Sequence, residues 1–326
     1  MTANYSKADM KENNKYIDSF VVASDVLWYY DAFIRQGFNF LLDFVDDSKR
    51  KISYSTSFGN TVKFFPDSEM PYAKYLMQRF DHVSVREVDG VKICKERFEV
   101  DATQVLDPVF ICDMKNWEEI EKNATRKPEE EYIFSYMLDP TPEKAHALEK
   151  LGKRLGYKVI SITDKQVNHD EKVKILKHCG IIEDASIEDF IYHIKNARFV
   201  LTDSFHGFCF SLIFNRPMIA FVNRQRGGAR FDSLAGQIGV KDRMVESVDE
   251  LKSLKAEFLL NLDYENINKA LAKEIERSQK WLDNAMFSER KPKVIDWRTI
   301  LGKELYQANK RIESLEKRIA QLEAKK

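Results

Sequence analysis

Apolar and polar positions along the chain fall into a recurring order: a short apolar run, a polar turn, then a longer amphipathic stretch. Residues 19–23, 51–57, 82–86 and 99–105 read as strands, residues 70–80 carry helical spacing, and residues 30–44 are mixed and partly helical. Residues 116–131 break the order, being strongly charged and ending in Arg126-Lys127-Pro128-Glu129-Glu130-Glu131, which predicts an interdomain linker. The order then restarts with a strand at 132–136, a helix at 142–155 opened by Thr141 and closed by Gly156, and a strand at 157–162. A helix at 186–196 has Ser186 and Asp189 in a capping-box relation, without the usual Glu. A strand at 199–201, a buried apolar helix at 208–214 stopped by Asn215 and Pro217, and a strand at 218–222 follow. Residues 199–201 are apolar throughout, as in a strand buried on both faces, and the alternation of strands with helices makes the expected class α/β with parallel, doubly wound sheets.

The same pattern divides the chain into an N-terminal domain at 1–125, a second α/β domain at 126–245, a helical extension at 246–302 and a final helix at 303–326. In that last helix Leu305, Ala308, Ile312, Leu315, Ile319 and Leu322 alternate spacings of three and four, the a/d pattern of a short coiled coil. It predicts a homodimer or an anchor to a partner enzyme; the plainer reading is one solvated helix packed on its own domain.

Composition narrows the function. The 326 residues carry 52 Lys plus Arg against 52 Asp plus Glu, so bulk charge does not select nucleic acid as a partner. Cys94, Cys112, Cys179 and Cys209 lie far apart with no CxxC pair, which favours reduced, small apolar residues. His82, His146, His169, His178 and His193 lack clustered partners and no spacing suggests a metal site. The polar start MTANYSKADMKENN has no apolar signal core, and no run approaches the ~20 apolar residues of a spanning helix. The expected location is cytoplasmic, with peripheral attachment to the inner face of the membrane left open to local charge.

Candidate chemistry concentrates in FVLTDSFHGFCFSLIFNRPMIAFVN, residues 199–223. His206 falls at the carboxyl end of a parallel strand and beside a helix N-terminus, where open α/β sheets bind ligands and backbone amides favour anions. The alternative is a turn histidine bonded to its own loop. In the first half, Asp25 follows a strand and suits the orientation or deprotonation of a hydroxyl, or else caps the next helix. Trp28 suits stacking on a sugar ring or a place in the core.

The segment TDSFHGFCFSLIFNRPMIAFVN resembles the signature of the polysaccharide pyruvyl transferase family, whose members resemble GT-B glycosyltransferases in having two Rossmann-like domains. Further resemblances occur in the family's order: YIDSFVVASDVLW from Tyr16, with Ala23 where glycine is usual; ISYSTSFG from Ile52; Ser84-Val85-Arg86-Glu87; Leu106-Asp107-Pro108; and Arg230-Phe231-Asp232-Ser233-Leu234. The resemblance implies transfer of a pyruvyl group from phosphoenolpyruvate, the donor substrate, to two hydroxyls of a sugar or lipid-linked oligosaccharide as a ketal, with no bound cofactor. It implies His206 as the acid and Asp25 as its catalytic companion. Arg86, Ser57, Ser204, Gly207, Arg226 and Arg230 would hold the donor; Trp28 and Asn223 would hold the acceptor. Asp107 and Asp203 read as structural caps first.

Two departures accompany the resemblance. The family's opening βαβ unit has no counterpart ahead of the YIDSF strand, so the N-terminal Rossmann-like domain is expected to be incomplete. Ser204 stands where a related branch carries Arg in an RLHG motif, so Arg224 or Arg226 would have to replace that cation. Two other readings stay open: a nucleotide-sugar glycosyltransferase, against which the SFHG and SxRE elements weigh, and a catalytically silent partner protein.

Overall fold

The computed structural model describes residues 7–59, 65–165, 168–224, 227–291 and 293–324. The chain forms two compact units, Met1–Pro108 with Arg277–Lys326, and Val109–Glu276. Both are α/β with a parallel sheet, and the C-terminal region is helical.

In the first unit, β1 (Ser19–Val26), β2 (Arg50–Ser57), β3 (His82–Val85) and β4 (Thr103–Gln104) lie parallel in that order. Right-handed crossovers between sequential strands put every connecting helix on one face. That face packs Phe20, Val22, Val83 and Val85 against Leu76, Met77 and Phe98. The opposite face is closed by the end of the chain. Tyr54 on β2 lies 6.2 Å from the Trp281 ring, the Ser278 hydroxyl accepts from the Leu106 amide at 3.0 Å, and Arg50 donates to the Ala285 and Ser288 carbonyls. This demand for a cover is why residues 277–326 fold with residues 1–108, and the units part at 108/109 and 276/277 instead of at 125 and 245.

β2 is buried on both faces along almost its whole length although it is rich in polar residues, with Lys51, Ser53, Ser55, Thr56 and Ser57 all buried. It also bulges. Ser55 takes a φ of +53°, the register to β3 shifts between Ser53 and Thr56, and the Ser84 hydroxyl receives the Ser55 amide at 3.1 Å. The strand expected over 99–105 shrinks to Thr103–Gln104, because the chain first makes a π-helical turn over Cys94–Phe98 and Glu99 is left-handed.

The last helix, Trp297–Glu323, starts at the Asp296 cap and lies along the Met70–Gln78 helix. The Tyr306 ring stacks on Tyr72 at 5.0 Å, its hydroxyl donates to Glu69, and Lys310 pairs with Glu69 at 3.0 Å.

In the second unit, β5 (Tyr132–Tyr136), β6 (Lys158–Ile162), β7 (Phe199–Thr202), β8 (Met218–Phe221) and β9 (Met244–Val245) form a parallel sheet ordered β6-β5-β7-β8-β9. The helix Pro142–Leu155 is capped by Thr141 and stopped by a left-handed Gly156, and the Ser186–Asp189 capping box is complete. The charged stretch after residue 113 is not a free linker. It contains the helix Met114–Lys122, whose Glu121 pairs with Lys195 at 2.5 Å, and the Asp189 carboxylate accepts from the Thr125 and Arg126 amides.

Candidate functional site

The order β6-β5-β7-β8-β9 reverses its direction of growth between β5 and β7, and outside the carboxyl ends of such strands an open α/β sheet has its crevice. The segment containing His206 leaves β7 there. The Thr202 hydroxyl donates to the Tyr136 carbonyl at 2.6 Å and accepts from the Ser204 amide at 3.0 Å, tying the turn to β5. The Asp203 carboxylate does the same through the Leu138 amide at 2.5 Å and the Asp139 amide at 3.1 Å. Burial, with Asp164 and Asp203 nearby, pushes the Tyr136 hydroxyl up to about 12, so it stays protonated.

The helix Phe205–Ile213 begins three residues ahead of the position that its apolar run predicts, since Ser204 takes the cap and accepts from the Gly207 amide at 3.4 Å. His206 therefore belongs to the first helical turn and is half-buried. Gly207 is dictated by packing: a Cβ there would stand 2.3 Å from Thr202 Oγ1. Phe205 is a hub, with the His206 ring at 6.0 Å and the Arg230 guanidinium over its face at 5.6 Å. Arg230 also donates to the Gly227 carbonyl at 3.3 Å. Asn223 is exposed just after β8. Arg224 pairs with Asp232 and with Glu246, and Arg226 lies outside the described residues.

One cation here escaped the sequence reading. Lys144 sits in the first turn of the Pro142–Leu155 helix, where the helix dipole disfavours positive charge, and it reaches Asp203 at 3.1 Å and the Asp139 carbonyl at 2.9 Å. A lysine three residues past a helix cap, in a chain with Asp203 beside the key histidine, was the signal available.

In the first unit the strand register places Asp25 beside Thr56, Thr56 beside Val85, and Val85 beside Gln104, so Asp25, Ser57 and Arg86 gather at the carboxyl ends of β1, β2 and β3. Arg86 is 2% exposed in its side chain and pairs with Asp107 at 2.6 Å, in place of Glu87 or Asp89. Asp107 also accepts from the Ser24 hydroxyl at 2.8 Å. Asp25 lies 3.9 Å from the Arg86 guanidinium, with its side chain 67% exposed. Its φ of +87° and the +27° of Ser24 are uncommon for residues with a Cβ, and strain of this kind clusters at functional sites.

Two expected contacts are corrected. Trp28 has no exposed surface: it packs on Phe58 and Phe80 and donates its indole N–H to the Phe40 carbonyl, so no ring face is offered to a sugar. Ser57 is fully buried; it donates to Glu87 and accepts from the Gly59 amide, while the Phe58 amide goes to the same carboxylate. Those groups shape the turn and are spent within it. The Asp25 side chain receives the Val26 amide at 2.8 Å, and the helix at Tyr30–Gln36 has no side-chain cap, so Asp25 does not cap it.

The sequence profile of the polysaccharide pyruvyl transferase family matches residues 2–225. The chain belongs to this family. No curated protein matches the chain. Among solved structures it is similar to a protein described as a UDP-N-acetylglucosamine 2-epimerase from Listeria monocytogenes, at 10% identity, a TM-score of 0.55, and coverage of 90% of this chain and 84% of that one. It is also similar to a glycosyltransferase from Rickettsia africae, at 10% identity, a TM-score of 0.47, and coverage of 89% and 85%. At such identity the first likeness speaks to fold alone: the α/β architecture of this pyruvyl transferase family member extends over both units. Among its described residues no group of three or more His, Cys, Asp or Glu is placed to hold a metal ion, and no helix is long and apolar enough to cross a membrane.

Proposed function

We propose that the protein moves the pyruvyl group of phosphoenolpyruvate onto two hydroxyls of a sugar in an exopolysaccharide or capsular unit, forming a ketal and releasing phosphate. The observation that carries this reading is His206, half-buried in the first turn of a helix at the switch point of a parallel sheet, in a member of the pyruvyl transferase family. In the reaction the methylene carbon of the donor gains a proton, two acceptor hydroxyls lose theirs as they bond to the central carbon, and phosphate departs with one. His206 supplies the proton to the methylene carbon. A placed imidazole contributes about 10²- to 10⁴-fold in such a step. The helix N-terminus draws the anionic donor, and Arg230, fixed over Phe205, offers it a forked cation. In the first unit Asp25, exposed on strained backbone, is a carboxylate suited to taking a hydroxyl proton. Arg86 holds the ends of β1 and β3 through Asp107, which also accepts from Ser24.

Phosphate release from phosphoenolpyruvate in the presence of an oligosaccharide acceptor tests the proposal, together with thermal unfolding. At 100 times its dissociation constant the donor adds about 2.7 kcal/mol of stability. His206→Gln should keep that stabilisation and lose phosphate release about 10²-fold or more. Stabilisation by a nucleotide sugar alone, with none by phosphoenolpyruvate, would replace this reading with that of a glycosyltransferase. Stabilisation by neither would favour a silent partner protein.

A further inference from the structure

We infer that the C-terminal helix pairs with the same helix of a second copy, as a parallel, in-register two-stranded coiled coil. Its own unit uses only one side of the helix. Thr299 is buried, Lys303 lies over the Tyr75 ring at 4.8 Å, Tyr306 stacks on Tyr72, and Lys310 pairs with Glu69. Taking Leu305 as position a, these four residues occupy b and f, the outer face of a coiled coil. The large apolar residues at a and d, Leu301, Leu305, Ile312, Leu315, Ile319 and Leu322, are between 50% and 57% exposed. The helix is thus held by its back over residues 299–310 and shows its apolar seam outward, residues 311–324 being exposed throughout.

What covers the seam is written in the residue types. Ile312 and Ile319 fill a while Leu315 and Leu322 fill d, the combination that favours two parallel strands. The flanking charges agree. Arg311 and Arg318 hold successive g positions, and Glu316 and Glu323 the e positions five residues further on. In a parallel homodimer each g residue faces the e residue of the next heptad in its partner, so Arg311 meets Glu316 and Arg318 meets Glu323, four ion pairs of opposite sign for two copies. An antiparallel pair would set g against g and e against e, opposing Arg to Arg and Glu to Glu. A seam of three heptads is marginal for free peptides. Here the first half of the helix is already ordered by its packing on Met70–Gln78, so the exposed second half extends from a fixed base and part of the ordering cost of association is removed.

Sedimentation velocity of the full-length protein across the micromolar range tests the inference. A concentration-dependent dimer is expected, and Ile312→Lys with Ile319→Lys, both at half-exposed positions, should leave a monomer with unchanged circular dichroism and thermal midpoint of the body. Leu322→Cys fixes the orientation: a parallel pair places the two introduced thiols side by side, whereas an antiparallel one separates them by about 30 Å. With the half-buried Cys112 replaced by Ser in both proteins and Cys94, Cys179 and Cys209 buried, mild oxidation should give a covalent dimer absent from the parent protein. A parent protein that stays monomeric, a dimer that survives the two lysines, or a Leu322→Cys protein that crosslinks no more than its parent would each overturn the inference.

Discussion

Gly207→Ala is the sharpest probe of how the His206 segment is built. The added methyl group would stand 2.3 Å from Thr202 Oγ1 and 3.0 Å from its Cβ, so Thr202 must move. Thr202 cannot move without loosening two bonds, the one it donates to the Tyr136 carbonyl at 2.6 Å and the one it accepts from the Ser204 amide at 3.0 Å. Overpacking of this kind costs about 1–3 kcal/mol, and each weakened buried hydrogen bond about 1 kcal/mol. Alanine returns roughly 1 kcal/mol of helix propensity. The expected net loss is therefore about 2–4 kcal/mol, read as a lower urea midpoint with unchanged slope. Thr202→Ala removes the obstructing hydroxyl. If the clash is the cause, the cost of Gly207→Ala added to Thr202→Ala should be well below its cost in the parent protein, a coupling of about 1 kcal/mol or more. A Gly207→Ala protein within about 0.5 kcal/mol of its parent, or strictly additive single changes, would refute the reasoning.

Removing one partner of the buried Arg86–Asp107 pair by Asp107→Ala should cost about 3–5 kcal/mol in urea unfolding, whereas Arg86→Met combined with Asp107→Leu should recover most of that loss. His193, 1% exposed and stacked on Phe134, has its pKa lowered to about 4 by burial, with Asp189 opposing. Below pH 6.5 the unfolded chain takes up a proton that the folded chain refuses, so stability should fall as pH drops from 6.5 towards 4, by up to about 1.4 kcal/mol per pH unit, and level off below. His193→Phe should flatten that part of the stability profile measured by urea titration at several pH values.

Several features of the candidate site were legible because they are local. A cap, a short apolar strand and the turn between them involve neighbours in sequence, so Ser186 with Asp189, Thr141 with Gly156, and the strand, turn and helix around His206 were all readable from spacing. Even so, the helix start shifted to Phe205, since a serine cap outweighs where the apolar run begins. Trp28 was ambiguous for a physical reason: an aromatic ring after a strand suits a sugar face and a core equally, and only the arrival of Phe58 and Phe80 buries it.

By itself the sequence determined the α/β class, most of the strands, the helix caps and the family motifs, together with the heptads of the last helix, because each depends on the periodicity or chemistry of adjacent residues. The tertiary structure alone decided strand order, and with it the switch point at β5 and β7 beside His206. It decided that Arg86 pairs with Asp107, that Lys144 reaches Asp203, and that residues 277–326 close the sheet begun by residues 1–108. An apolar run announces that a surface must be buried and a charge that it needs a partner; which distant segment supplies the cover or the counter-charge is settled only when the whole chain packs.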